Sequence, residues 1–209
     1  MAKIKLTKNE LKKQKDALKM YKRYLPTLQL KKQQLQMEIR GIEARHRELE
    51  EARAALDREF RAWLGVFGEA EAAYGPDGLP LMRVTAVRTS LGNIAGVEIP
   101  VFDGADFEFA EYDLFATPLW VDSALDRLKK ALLLDLEARV LVVQIERLAA
   151  ELRTTTQRVN LFEKVKIPET LEDIKRIRIY LGDQQTAQVV RGKIAKRKVI
   201  ETAAARSAE

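Results

Sequence analysis

Residues 11–56 read LKKQKDALKM YKRYLPTLQL KKQQLQMEIR GIEARHRELE EARAAL. In and around this stretch Tyr21, Leu28, Leu35, Ile42, Leu49, Leu56 and Trp63 recur every seven residues. A second row, Ile4, Leu11, Leu18, Leu25, Ile39, Phe60 and Phe67, falls between them at steps of three and four. Such rows form one stripe on an α-helix, and a stripe sustained over many turns is what a helix needs to wind around another helix. Mean helices run about three turns, whereas residues 5–67 as one helix would reach about 95 Å. A helix of that length implies a mechanical or scaffolding part before a catalytic one.

Working outward, Thr7 followed by Glu10 fits a capping box at the helix start. The pattern fades near Gly65 and Gly68, and Gly75-Pro76-Asp77-Gly78 reads as a turn. The period then changes. Met82, Val84, Ala86 and Arg88 alternate with polar or small residues, Leu91-Gly92-Asn93 reads as a break, and Ile94 to Phe102 is rich in β-branched residues. Two short strands in a hairpin or small sheet are predicted, with Pro100 marking an edge. Residues 103–120 are acidic and aromatic, and are expected to cover the sheet or pack on the helices.

Helical periodicity resumes after Pro118, with Asp122 or Ser123 as the expected N-cap. Leu125, Leu128, Leu132, Leu136, Val140 and Val143 mark one face. Leu141, Leu148, Thr155 and Phe162 then recur at seven, with Ile145, Leu152 and Val159 between them, and Ile174, Ile177 and Leu181 continue beyond Pro168. This second long helix is the partner for the first, and the connection between them lets the two run antiparallel. Pairing Phe67 roughly level with Asp122 brings Pro26 and Pro168 to nearly one height, which predicts a shared bend there. The expected fold class is mainly α: a long antiparallel two-helix coiled coil of N- and C-terminal helices with a small β-hairpin region in the middle. The expected segments are 1–67, 68–121 and 122–209.

Composition agrees with solvated helices more than with a thick core: 33 % of the 209 residues are charged and 7 % aromatic. There is no cysteine, which excludes disulfides and thiolate metal sites and fits a reducing compartment. No apolar run approaches the ~20 residues that cross a bilayer, and no export signal is visible. The net charge of +6 is unevenly spread. Residues 1–40 carry 12 Lys/Arg against 3 Asp/Glu, residues 185–209 carry 6 against 2, and residues 65–125 carry 2 against 10.

Motifs for chemistry are missing. Gly192-Lys193 is followed by Ile194 and lacks the earlier glycine of a phosphate loop. The one histidine, His46, lies on the seam without the partners of a metal site or triad. No catalytic, cofactor or metal residue is expected. Lys32, His46 and Arg53 stand where apolar seam residues belong. Such breaks fix register or face a third partner, or are locally exposed with their stems snorkelling. The basic run Lys12, Lys13, Lys15, Lys19, Lys22 and Arg23 reads either as a solvated face or as a contact for an anionic partner, phosphate or acidic protein. Only Tyr21 and Tyr24 offer stacking rings there, which favours protein over nucleic acid.

Three stretches resemble a known family, the D subunits of the V-type and archaeal-type rotary ATPases, in its bacterial branch. Arg158-Val159-Asn160-Leu161-Phe162-Glu163-Lys164-Val165-Lys166-Ile167-Pro168 is similar to the family's RVNALExVxIP signature. Asn93-Ile94-Ala95-Gly96-Val97-Glu98-Ile99-Pro100-Val101-Phe102 is similar to its NxAGVxxPxF stretch. Leu6-Thr7-Lys8 and Leu30-Lys31-Lys32-Gln33 lie near its PTK start and LLKxKR run. Leu161-Phe162 replaces the family's Ala-Leu pair, and the Gly-His before the lysine run is absent.

The resemblance implies a non-catalytic central-stalk rotor component that binds no cofactor. Its axle would be the seam of Leu11, Leu18, Tyr21, Leu25, Leu28, Leu35, Ile39, Ile42, Leu49 and Leu56 against Leu141, Leu148, Leu152, Val159 and Phe162. The motif positions Asn93, Gly96, Pro100, Arg158, Val159, Asn160, Glu163 and Pro168 would carry the family's local structure. Lys12, Lys15, Lys19, Arg191, Lys193 and Lys196 would meet the ring of catalytic and nucleotide-binding subunits (A and B). The acidic middle would engage the F subunit of the stalk and the funnel-shaped rotor cap. The implied place is cytoplasmic, peripheral on the inner face of the membrane, with no nucleic acid and no membrane insertion of its own. A basic coiled-coil nucleic-acid-binding or adaptor protein is the alternative class.

Overall fold

The computed structural model describes residues 4–63, 80–112, 118 and 120–206, with side chains to 201. Trp63 ends the first helix; Phe67, Gly65, Gly68, the Gly75–Gly78 turn and Phe115 lie outside the described residues. The elements are α1 (Lys8–Trp63), β1 (Met82–Ile94), β2 (Val97–Phe109), α2 (Trp120–Asn160), a π-helical segment (Leu161–Lys166) and α3 (Ile167–Arg206). The chain is mainly helical, with one small antiparallel sheet in its middle.

Helix α1 starts where Thr7 caps it: the Glu10 N–H donates to Thr7 Oγ1 (3.3 Å) and the Leu11 N–H to the Thr7 carbonyl (3.0 Å). The box is half of the expected one. The Glu10 carboxylate accepts from Gln14 instead, and the Thr7 N–H donates to the Lys5 carbonyl. Helix α2 opens at Trp120, two residues before the expected cap. The Val121 N–H donates to the Pro118 carbonyl (3.1 Å), and Asp122 accepts the Tyr112 hydroxyl.

The hairpin corrects two expectations. The backbone does not break at Leu91-Gly92-Asn93, which lie within β1; it turns at Ala95-Gly96, inside the stretch read as one strand. Both turn residues have positive φ (52° and 81°), as the tight turns whose twist matches flanking strands require. The Asn93 side-chain oxygen accepts the Gly96 N–H (3.0 Å) and holds the turn. Gly92 is glycine where the strands approach closely: an added Cβ would sit 2.8 Å from a Val101 methyl. The second strand continues past Phe102 to Phe109, so half of the acidic aromatic stretch is strand. Each strand carries one extra residue. Thr85 bulges from β1 and donates to the Asp106 carbonyl (3.1 Å), and Asp103 bulges from β2 and accepts from Ser90 (3.1 Å). The two irregularities cancel, and register resumes toward the turn.

The chain packs as two compact units. One comprises Lys31–Thr155. Here α1 and α2 are antiparallel neighbours: Lys31 pairs with Glu151 (2.6 Å), Arg45 with Glu137 (3.1 Å), Arg53 with Asp135 (3.0 Å) and Arg127 with Glu59 (3.3 Å). Its core is Leu35, Ile39, Leu148 and, from the hairpin, Ile99. Ile42, Ile145, Leu152, Ile94, Ala95 and Val97 pack around it. The turn therefore lies on the helices, and the Ala95 methyl is used in the core despite its positive φ.

The other unit comprises Met1–Leu30 and Thr156–Glu209. Tyr21 packs on Phe162 in a tilted contact, 5.2 Å between ring centroids, while Val159, Thr170, Ile174 and Ile177 are buried. On the register of that ring pair, Pro26 and Pro168 are about eleven residues, or three turns, out of level. The two prolines thus do not share the level that a common bend requires. Helix α1 runs through Pro26, and the opposite helix widens into the π segment before Pro168.

Truncating Leu148, fully buried, is expected to cost about 2–5 kcal/mol in urea unfolding. Met37→Ala, on a residue 72 % exposed, should stay within about 0.5 kcal/mol. Gly96→Ala should cost roughly 1–2 kcal/mol, because the new Cβ meets its own backbone at positive φ. Equal unfolding midpoints for Leu148→Ala and Met37→Ala would contradict this core.

Candidate functional site

All fifteen expected seam residues are buried or half-buried. Leu35, Ile39, Leu49, Leu148 and Val159 are buried; Leu11, Leu18, Tyr21, Leu25, Leu28, Ile42, Leu56, Leu141, Leu152 and Phe162 are half-buried. The charge-rich composition leaves each helix a single apolar stripe, and these positions lie on it.

Two of the three polar seam residues, Arg53 and His46, have carboxylate neighbours. Arg53 bonds Asp135 through Nε and Asp57 through Nη1, with its side chain 31 % exposed. His46 Nδ1 lies 3.7 Å from Glu50. Together with Arg139 they line an open groove of about 490 Å³ between the helices. Two guanidiniums, His46 and three carboxylates line it, and it offers no nucleophile beside a base. Among the described residues no group of three or more His, Asp or Glu is placed to hold a metal ion, and no helix is long and apolar enough to cross a membrane.

The hairpin is held along α2 by side chains that reach its backbone. Gln144, only 6 % exposed, donates to the Pro100 carbonyl, and Arg147 donates to the Glu98 carbonyl (3.1 Å). Toward the open end, the Lys129 ammonium lies 5.6 and 5.7 Å from the ring centres of Phe107 and Phe109. The Tyr112 hydroxyl donates to Asp122, which raises the phenol above its ordinary pKa. Sequence reading missed Gln144 and Arg147. They recognise carbonyls, which every residue has, so nothing in β2 announces them.

The expected motif positions divide by role. Asn93 and Gly96 build the turn, and Pro100 offers its carbonyl to Gln144. Val159 is buried, whereas Arg158, Asn160, Glu163 and Pro168 are exposed. Between them runs the π segment, where the Ile167 N–H donates to the Phe162 carbonyl, five residues back. The Thr170 hydroxyl closes it by donating to the Lys166 carbonyl (2.6 Å). Sequence reading missed this segment too, although a signal existed. The row Leu141, Leu148, Thr155, Phe162 resumes as Thr170, Ile177, and the row Ile145, Leu152, Val159 resumes as Ile167, Ile174, Leu181. Both rows step by eight instead of seven there.

Lys12, Lys15 and Lys19 on α1, and Arg191, Lys193 and Lys196 on α3, are exposed. They belong to the same compact unit. Gln144→Ala should weaken the hairpin's attachment by about 1–2 kcal/mol. Hydrogen exchange at residues 97–101 is expected to quicken while the helices keep their protection. Unchanged exchange would show that the bond holds nothing.

The family model for the ATP synthase D subunit matches residues 10–197. The V-type ATP synthase D subunit of Borreliella burgdorferi is 52 % identical over 201 residues, which cover 96 % of this chain and 97 % of that one. The proteins of the same name from Chlamydia muridarum and Chlamydia pneumoniae are 35 % and 34 % identical, over 94 % of this chain and 96 % and 93 % of theirs. The paired helices, the motif-built turn and a similarity that runs nearly end to end have one common meaning: this chain belongs to the family of ATP synthase D subunits.

Proposed function

We propose that the chain is the central-stalk, rotor-axle component of a V-type ATP synthase. It would carry torque between the ATP-handling ring and ion movement across the membrane, with no catalytic role of its own. The match of residues 10–197 to the family model and the 52 % identity over 201 residues to a protein named as a V-type ATP synthase D subunit carry this reading. The buried apolar rows support it physically. Each fully buried Leu contributes roughly 1.5–3 kcal/mol, and two helices joined along such a seam resist twisting better than one.

The exposed basic side chains Lys12, Lys15, Lys19, Arg191, Lys193 and Lys196 are the proposed contacts with the ring subunits (A and B). The acidic middle is the proposed contact with the F subunit of the stalk and the funnel-shaped rotor cap. The complex would hold this chain peripherally, on the cytoplasmic face of the membrane.

Co-purification of the tagged chain from its native host tests the assignment. Recovery of the other ATP synthase subunits with ATPase activity is the expected result. Recovery of RNA, or of the chain alone as a stable coiled coil, would replace it with the nucleic-acid or adaptor reading. In the complex, Leu35→Asp and Val159→Asp should lower the melting temperature and separate ATP hydrolysis from ion pumping. Normal melting with normal coupling would refute the axle.

A further inference from the structure

The single eight-residue step in both buried rows coincides with the π segment. If the helix stayed α through this stretch, everything beyond it would be turned by about 100°. Glu169, Arg176 and Asp183, which an unbroken spacing of seven would place on the seam, would then face inward. All three are hydrophilic; Glu169 and Arg176 are exposed where they stand, while Thr170, Ile174 and Ile177 are buried. Placing charges against an apolar seam is costly, so the extra residue has to be taken up. Spread from Phe162 to Ile177 it would demand about 3.75 residues per turn, which drifts in the opposite hand to a spacing of seven. A π turn takes it up in one place.

Pro168 explains why the place is here. It has no N–H to give, and in α geometry its ring would press on the carbonyl of Lys164. Widening the preceding turn relieves that contact and uses a residue at the same time. The Thr170 hydroxyl then covers the Lys166 carbonyl, and regular helix resumes.

We infer that Leu161–Lys166 is an indexing segment. It absorbs one residue without advancing the buried rows, and so sets the rotational phase at which α3 presents Arg191, Lys193 and Lys196. The importance of that phase rests on the proposed stalk role, since a shaft acts on its surroundings through whichever face it turns to them. The phase shift itself stands on the burial pattern and the hydrogen bonds alone.

Variants of the full chain test the two parts separately. Deleting Lys164, an exposed residue, removes the extra position, and Lys164→Ala controls for its side chain. The deletion should lower the melting temperature by about 10 °C, through misplacing Thr170, Ile174 and Ile177, while Lys164→Ala melts like the parent. Adding one alanine between Pro168 and Glu169 to the deletion restores the count and should recover most of the loss. A deletion that melts like the parent, or an added alanine that recovers nothing, overturns the phase shift. For the functional part, one alanine inserted after Gln188 lies past the last half-buried positions, Leu181 and Ala187, and turns only the distal part of α3. The chain should melt like the parent, and ion pumping per ATP should fall severalfold in the complex. Unchanged pumping overturns the indexing role. Absence of the unaltered chain from the complex would fault the stalk assignment instead.

Discussion

Leu35 and Leu148, both without solvent exposure, meet in a core that Ile39 and Ile99 complete, and the central unit depends on that contact. Neither partner structure is self-sufficient. The helices are charged around most of their circumference, so each gains its stability from one stripe buried against a neighbour. An isolated two-stranded hairpin is marginal in water. Ile99 ties the two problems together, because the hairpin supplies an apolar side chain that the helix pair lacks at that level. Loss of the helix contact would release the hairpin, and loss of the hairpin would expose Leu35 and Leu148.

The turn shows how a local cost is offset by tertiary packing. Alanine at positive φ is disfavoured, and glycine or asparagine would fit the backbone better. Ala95 is kept where its methyl reaches the core, while Gly96 beside it takes the second positive φ without penalty. Asn93 satisfies the Gly96 N–H, and Gln144 and Arg147 satisfy two carbonyls on β2. Turn and attachment are both built from backbone polar groups, which explains how a ribbon with two open edges is held along α2.

The polar seam positions and the π segment are two departures from a uniform stripe, and they work differently. Arg53 remains on the seam because Asp57 and Asp135 neutralise it at a half-exposed level. The π segment instead moves the stripe, so that Glu169, Arg176 and Asp183 stay off it. A carboxylate or guanidinium near the surface is accommodated by a partner; a whole row of them is accommodated by turning the helix.

Two long helices, the hairpin between them and the apolar rows that are buried or half-buried were legible in the residues alone. Periodicity of seven over many turns leaves few other ways to bury Leu35, Ile39, Leu148 or Val159, and burial of apolar area is the largest favourable term. The sequence also held the eight-residue step from Phe162 to Thr170, which names a region without saying how the extra residue is absorbed. The rest came from packing between distant segments. Positions 91–93 became strand because Gly92 lies against Val101, and the turn moved to Ala95-Gly96 because that brings Ile99 to the core. Only the fold could pair Gln144 with Pro100 and Tyr21 with Phe162, or set the two prolines out of level. Spacing along a chain records which face a residue belongs to; where that face meets another is fixed when distant side chains compete for the same buried volume.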